Sequence, residues 1–155
     1  MSMFDAQSFL DAQIDGTLEK RDPLPTTREY RAVIGELTSR NWQSTKDPSK
    51  EGVAFDVPLT LDVPVDLQES GGLPPTLTLK DGIMLDLTPA GAIDTAKGKN
   101  SKLRMYRDAL DMNQPGVPFN PRSMTGRVVL VRIKHEEWPE GSGNLQERPN
   151  GVARA

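Results

Sequence analysis

The chain has 155 residues, 35% of them hydrophobic and 5% aromatic, with 13 glycines, 13 prolines, no cysteine and a formal net charge of −3. Without cysteine there is no disulfide staple, thiol nucleophile or thiolate metal site, and so many glycines and prolines favour short strands and turns over a helical bundle. The length suits one domain with a real core, and no apolar run approaches the length of a membrane span.

The opening MSMFDAQSFLDAQIDG has acids where a signal peptide needs a basic start and an apolar core. We expect a soluble protein with no membrane partner that stays in the compartment where it is made. Phe4, Phe9, Leu10 and Ile14 fall near helical spacing, with Ser2 as a cap, and predict a short amphipathic helix packed on the body as a lid. Asp15 to Thr27 reads as a linker, so residues 1–27 form an N-terminal helix and linker and residues 28–155 a single β-barrel domain.

From Arg28 to Trp42, Tyr30, Ala32 and Ile34 alternate, and Leu37 falls on the other parity after Gly35. A glycine at a parity switch predicts a bulge or sharp bend in a long strand. After a polar loop, Val53, Phe55, Val57, Leu59, Leu61, Val63 and Val65 share one face of a strand, with Asp56, Asp62 and Asp66 on the other. Pro58 and Pro64 cannot donate ladder hydrogen bonds and point to an edge or an interruption. Gly71, Gly72, Pro74 and Pro75 make a turn. Leu77, Leu79, Ile83, Leu85 and Leu87 keep one parity across Asp81-Gly82, which is either one long strand or a hairpin. A helix runs from a cap at Asn100 or Ser101 to about Met112, with Leu103, Tyr106 and Leu110 on its core face. Arg127 to His135 is a strand, Gly141 to Gly143 a turn, and Leu145 to Ala153 a short last strand.

The fold class is therefore mainly β (α+β). The order matches a five-stranded oligonucleotide-binding-type Greek-key barrel with a helix between strands 3 and 4 and an N-terminal helix. A β-sandwich with a decorating helix is the alternative.

Charge is segregated along the chain. Residues 47–86 carry eight acids against Lys50 and Lys80, a net of −6, whereas residues 87–134 carry nine cations against Asp94, Asp108 and Asp111, a net of +6. Such a split attracts an anionic partner to one region, or makes two solvated faces.

Catalytic chemistry is poorly provided for, and we expect no enzyme, no cofactor and no metal. His135 is the one histidine and lies in an apolar strand, where a structural role is expected. No metal-binding spacing occurs, and Gly91, Gly98 and the lysines beside Gly98 have the composition of a phosphate cradle without its nucleotide-hydrolysing spacing. Single-strand binding asks for less: a cationic groove and aromatic faces on which bases stack. Arg127, Arg132 and Lys134 lie along one strand, Arg104 and Arg107 on the helix before it, and Arg122 between them; Trp42, Phe119 and Trp138 are the candidate platforms. An isoelectric point near 5.2 means that local charge must do the binding.

The phrases GIMLDLT, GAIDTAKGKN, LRMYRDALDMNQPGVPF and MTGRVVLVRIKH resemble a family of small tailed-bacteriophage proteins similar to phage single-stranded-DNA-binding proteins, over roughly Tyr30 to His135. The resemblance implies an oligonucleotide-binding fold and a non-catalytic role in phage replication or recombination in the host cytoplasm. It also implies single-stranded DNA as the partner, with phage or host replication proteins and self-association as further partners. It brings no catalytic residues. The alternative reading is a phage protein-interaction module, a virion accessory protein or an inhibitor of a host protein, that uses the acidic face of Asp56, Asp62 and Asp66.

Overall fold

The computed structural model describes residues 3–155. Six strands, β1 (Glu29–Ile34), β2 (Thr38–Gln43), β3 (Glu51–Asp62), β4 (Thr76–Met84), β5 (Val128–Glu137) and β6 (Leu145–Arg154), form one antiparallel sheet. Two α-helices interrupt them, α1 (Val65–Gly71) and α2 (Ser101–Ala109). The fold is mainly β, as expected, but with six strands rather than five, because the predicted first strand breaks in two.

The break has a chemical cause at Gly35 and Pro58. β1 and β2 run in line along one edge of β3, with Ile34 opposite Leu59 and Thr38 opposite Asp56, while β4 covers the other edge. In an antiparallel strand a residue's N and O point to the same side. The Pro58 carbonyl accepts from Gly35 N at 2.8 Å, so the donor that Pro58 lacks faces the gap between β1 and β2. A Cβ at Gly35 would lie 3.0 Å from Pro58 Cγ. Gly35 therefore bends the strand, and Pro58 sits at an interruption instead of a sheet edge.

Asp81 and Gly82 lie inside one uninterrupted β4 that pairs with β3 from Asp62↔Thr76 to Ala54↔Met84, which decides against a hairpin. β1 pairs with β5 and β5 with β6, the latter with a register shift between Val131 and Ile133. β4 and β6 come into contact, but no ladder joins them among the described residues, and the sheet is open there. The core gathers Tyr30, Ile34, Leu59, Leu61, Ile83, Tyr106, Met124, Val129 and Val131, all at most 1% exposed.

Three local expectations are corrected. The alternating stripe does not continue through Val65: Pro64 caps α1, Gly72 closes it in the left-handed region at φ 68°, and Val65 is 64% exposed. The N-terminal lid is absent from the packed body: Ala6–Leu10 is a single 3-10 turn, and Phe4, Phe9, Leu10 and Ile14 are all more than 60% exposed. One turn has too few hydrogen bonds to present an apolar face, and Phe4 and Phe9 contact each other at 6.4 Å between ring centres. The proposed cap Ser2 lies outside the described residues. Part of the predicted linker does belong to the body. Leu24 is fully buried, Arg21 makes a two-pronged ion pair with Glu147, and Leu24 N donates to the same carboxylate at 3.1 Å.

Candidate nucleic-acid interface

The aspartates of the acidic segment are neutralised from elsewhere in the chain. Asp56, 6% exposed, accepts from Arg40 at 3.0 Å and faces Lys80 at 3.6 Å. Asp62 pairs with Arg31 at 3.1 Å and Asp66 with Arg28 at 2.7 Å. The Arg28 hydrogen bonds hold the Asp66 carboxyl below its ordinary pKa, against a smaller effect of desolvation. Asp81, buried under α2, accepts from Lys102 at 2.7 Å and from the Tyr106 hydroxyl at 2.5 Å. Burial, then the neighbouring Asp81 charge, raises the Tyr106 pKa far above that of a free phenol, so the group stays a donor. The three acids of the expected acidic face are thus ion-paired.

The arginines divide accordingly. Arg21, Arg28, Arg31, Arg40, Arg132, Arg148 and Arg154 are all in ion pairs, whereas Arg104, Arg107, Arg122 and Arg127 have no acidic partner among the described residues. Lys97 and Lys99 also have no ionic partner among the described residues. The sequence grouped the positive charge by segment; folding pairs Lys102 and Arg132 and, among the described residues, leaves six cations between residues 97 and 127 without an ionic partner, with Lys134 apart from them on β5.

These residues hang on a well-anchored frame. Asn100, 7% exposed and left-handed at φ 50°, does not cap α2 with its side chain. Instead, Asn100 Oδ1 accepts from Asp86 N, its Nδ2 donates to the Asp86 and Asp94 carbonyls, and its backbone N donates to Asp86 Oδ2, all at 2.8–2.9 Å. This knot fixes the Lys97-Gly98-Lys99 loop at the head of α2. Arg104 and Arg107 follow on α2 and, with Lys97, Lys99, Ile93 and Asp94, line a concavity of about 300 Å³. Arg107 lies 4.4 Å from the centre of the Phe119 ring and donates through Nε to the Met112 carbonyl at 3.1 Å. Phe119 is therefore half-buried beneath a guanidinium, in a cation–π contact.

Beyond Phe119, the buried Met124 anchors the loop, and Gly126 N donates to the Ile34 carbonyl at 2.7 Å, which sets Arg127 beside the β1–β2 bend. Arg122 lines a second concavity of about 380 Å³ together with Leu37, Ser39 and Phe55. Arg104, Arg107, Phe119, Arg122 and Arg127 thus follow one another along α2 and the loop into β5.

The other expected contacts are placed elsewhere. Arg132 and Lys134 lie on the outward face of β5, where Arg132 pairs with Glu29 at 3.0 Å and Lys134 stands opposite Arg148 of β6. α2 packs on β6, so the expected common groove of helix and β5 ribbon is not formed by Arg132 and Lys134. Trp138 is 60% exposed after the far end of β5, about 36 Å along the strand from Arg127 at 3.3 Å per residue. Trp42 is half-buried, its ring flat against Gly52 across the β2–β3 pair, 2.9 Å from where a Cβ would stand. Its Nε1 is buried without a hydrogen-bond partner among the described residues.

Sequence reasoning did not include Lys97, Lys99 and Phe55 among the binding residues. The Gly-Lys-Asn run was a visible signal for the two lysines, whereas Phe55 was hidden in an apolar stripe. His135 is structural, as expected: its Nε2 meets the Leu24 carbonyl at 2.6 Å. No group of three or more His, Asp or Glu side chains among the described residues is arranged to hold a metal ion, and no helix there is long and apolar enough to cross a membrane. No protein-family model and no curated protein matches this chain.

Proposed function

We propose that this protein binds single-stranded DNA without catalysing a reaction, through Lys97, Lys99, Arg104, Arg107, Phe119, Arg122 and Arg127. The observation that carries the reading is the division of the arginines: those of the sheet are neutralised, and those of α2 and the following loop are not. An unpaired cation keeps its whole attraction for a phosphate, because no internal carboxylate has to be displaced. Phe119, stacked under the Arg107 guanidinium, and Phe55, in the concavity that Arg122 lines, place aromatic side chains beside the same cations.

The strand pairing supports an oligonucleotide-binding barrel. With β1 and β2 counted as one bent strand, the pairs are first with second, second with third, first with fourth and fourth with fifth, and α2 lies between the third and fourth. A partly open barrel of this kind needs contact, not a full ladder, between β4 and β6. The resemblance of residues 30–135 to small phage proteins supports a place in phage replication or recombination in the host cytoplasm, alongside replication proteins of phage or host. Nothing observed favours the acidic-face alternative, since Asp56, Asp62 and Asp66 are ion-paired.

Anisotropy of a labelled oligothymidylate tests the proposal. Binding at low salt should weaken with a log–log slope of about −4 when six cations contact phosphates, from about −0.7 per contact. A duplex of the same length should bind more weakly. No binding at low salt would remove the reading.

A further inference from the structure

The loop from Ile93 to Lys99 and the first turns of α2 enclose a place that suits one anionic group better than a running strand. We propose that this concavity is a phosphomonoester site that takes the phosphorylated end of a DNA strand. The inference rests on the single-strand reading for the source of its ligand, and on the pocket alone for the ligand's chemistry.

Four cations, Lys97, Lys99, Arg104 and Arg107, line the concavity against one acid, Asp94. The Asp94 carboxylate is engaged by Ala96 N at 2.9 Å, and Lys97, Lys99 and Arg104 have no ionic partner among the described residues. Arg107 is held by its ring contact and by Nε, so its two terminal nitrogens remain for a ligand. The frame is set in advance: the buried Asn100 pins Asp86 and Asp94, Lys99 N donates to the Ala96 carbonyl at 3.0 Å, and Gly98 at φ 84° takes the turn between the two lysines. A site ordered before binding loses less entropy on binding.

Size and charge choose the ligand. A volume of about 300 Å³ is at the lower end for small-molecule sites and fits one nucleotide. A phosphomonoester carries about −1.5 to −2 charges at neutral pH with three acceptor oxygens, whereas an internal phosphodiester carries one charge. Four cations favour the former. Ile93, 38% exposed, offers the sugar an apolar wall.

The full chain is titrated by anisotropy with internally labelled oligothymidylates ending in a 5′-phosphate, a 3′-phosphate or hydroxyls. Amide NMR follows titration with deoxythymidine monophosphate and with inorganic phosphate. One phosphorylated end should bind about tenfold tighter than the hydroxyl form, the gain of about one charge-assisted hydrogen bond. That ratio should fall to about one in a Lys97→Ala/Lys99→Ala variant and, independently, in Arg104→Gln. All three side chains project from the surface without an ionic partner, so the variants keep the packing. Oligothymidylates that bind equally well whatever their ends would overturn the inference and leave the single-strand reading standing. Nucleotide or phosphate shifting residues 97–107 while no oligonucleotide binds would keep the site, with a free phosphomonoester or phosphate as its ligand, and sink the DNA reading. Neither binding would overturn both.

Discussion

Tyr106 donates its hydroxyl hydrogen to the Asp81 carboxylate at 2.5 Å, and through that bond α2 is locked onto β4. Both residues are at most 4% exposed, and Lys102, one turn earlier on α2, binds the other carboxylate oxygen. The unpaired arginines of α2 owe their placement to this buried pair. Tyr106→Phe removes one donor from a buried carboxylate and should lower unfolding stability by about 1–3 kcal/mol. Asp81→Ala, which orphans a buried hydroxyl and releases Lys102, should cost at least as much. Urea midpoints measure both, and a neutral Tyr106→Phe would show that the Tyr106–Asp81 hydrogen bond does not hold α2 on β4.

Gly52 supports Trp42 across the β2–β3 pair. A Cβ there would meet the indole ring at 2.9 Å, so Gly52→Ala should displace the ring and cost about 1–3 kcal/mol by overpacking. Tryptophan emission should shift to the red as the ring moves into water, and Trp138→Phe in the same background assigns the change to Trp42. An unchanged spectrum would mean that the ring has room to slide.

The Glu147 carboxylate gives a signed pH dependence. Burial acts to raise its pKa, but the hydrogen bonds from Arg21 and from Leu24 N outweigh burial, and the folded value lies below the ordinary one. A group with a depressed folded pKa contributes stability above its unfolded pKa, about 4.3 for Glu, and loses that contribution as pH falls through the folded value. Stability should therefore be level from neutral pH to about pH 5 and fall below that. Glu147→Gln should start lower at neutral pH and fall less steeply on acidification. Parallel curves for the two proteins would contradict this role.

The bend of the first strand was legible at Gly35 because a glycine interrupting an alternating stripe has a local cause, and α2 and β5 likewise follow from local periodicity, whereas β4 kept one parity across Asp81-Gly82 and only its pairing with β3 decides between one strand and a hairpin. α1 was not, since the alternation of Leu59 and Leu61 carries on through Val63 and Val65 and outlasts the strand, and only Pro64 and Gly72 mark the change. The ion pairs were beyond reach for a different reason. Arg132 meets Glu29, 103 residues earlier, only because β1 and β5 pair in one particular register. Charge counted along the chain therefore located the basic region, but not which of its members are neutralised.

The division of the arginines is tested most directly by two triple variants that remove equal charge, Arg104→Gln/Arg122→Gln/Arg127→Gln from the unpaired set and Arg31→Gln/Arg132→Gln/Arg148→Gln from the paired set. Affinity for an oligothymidylate at low salt should fall by about a hundredfold or more in the first, with a log–log salt slope smaller by about 2, and by less than tenfold in the second. Equal losses in the two variants would contradict the account, because binding would then follow net charge and not the surface that folding leaves unpaired.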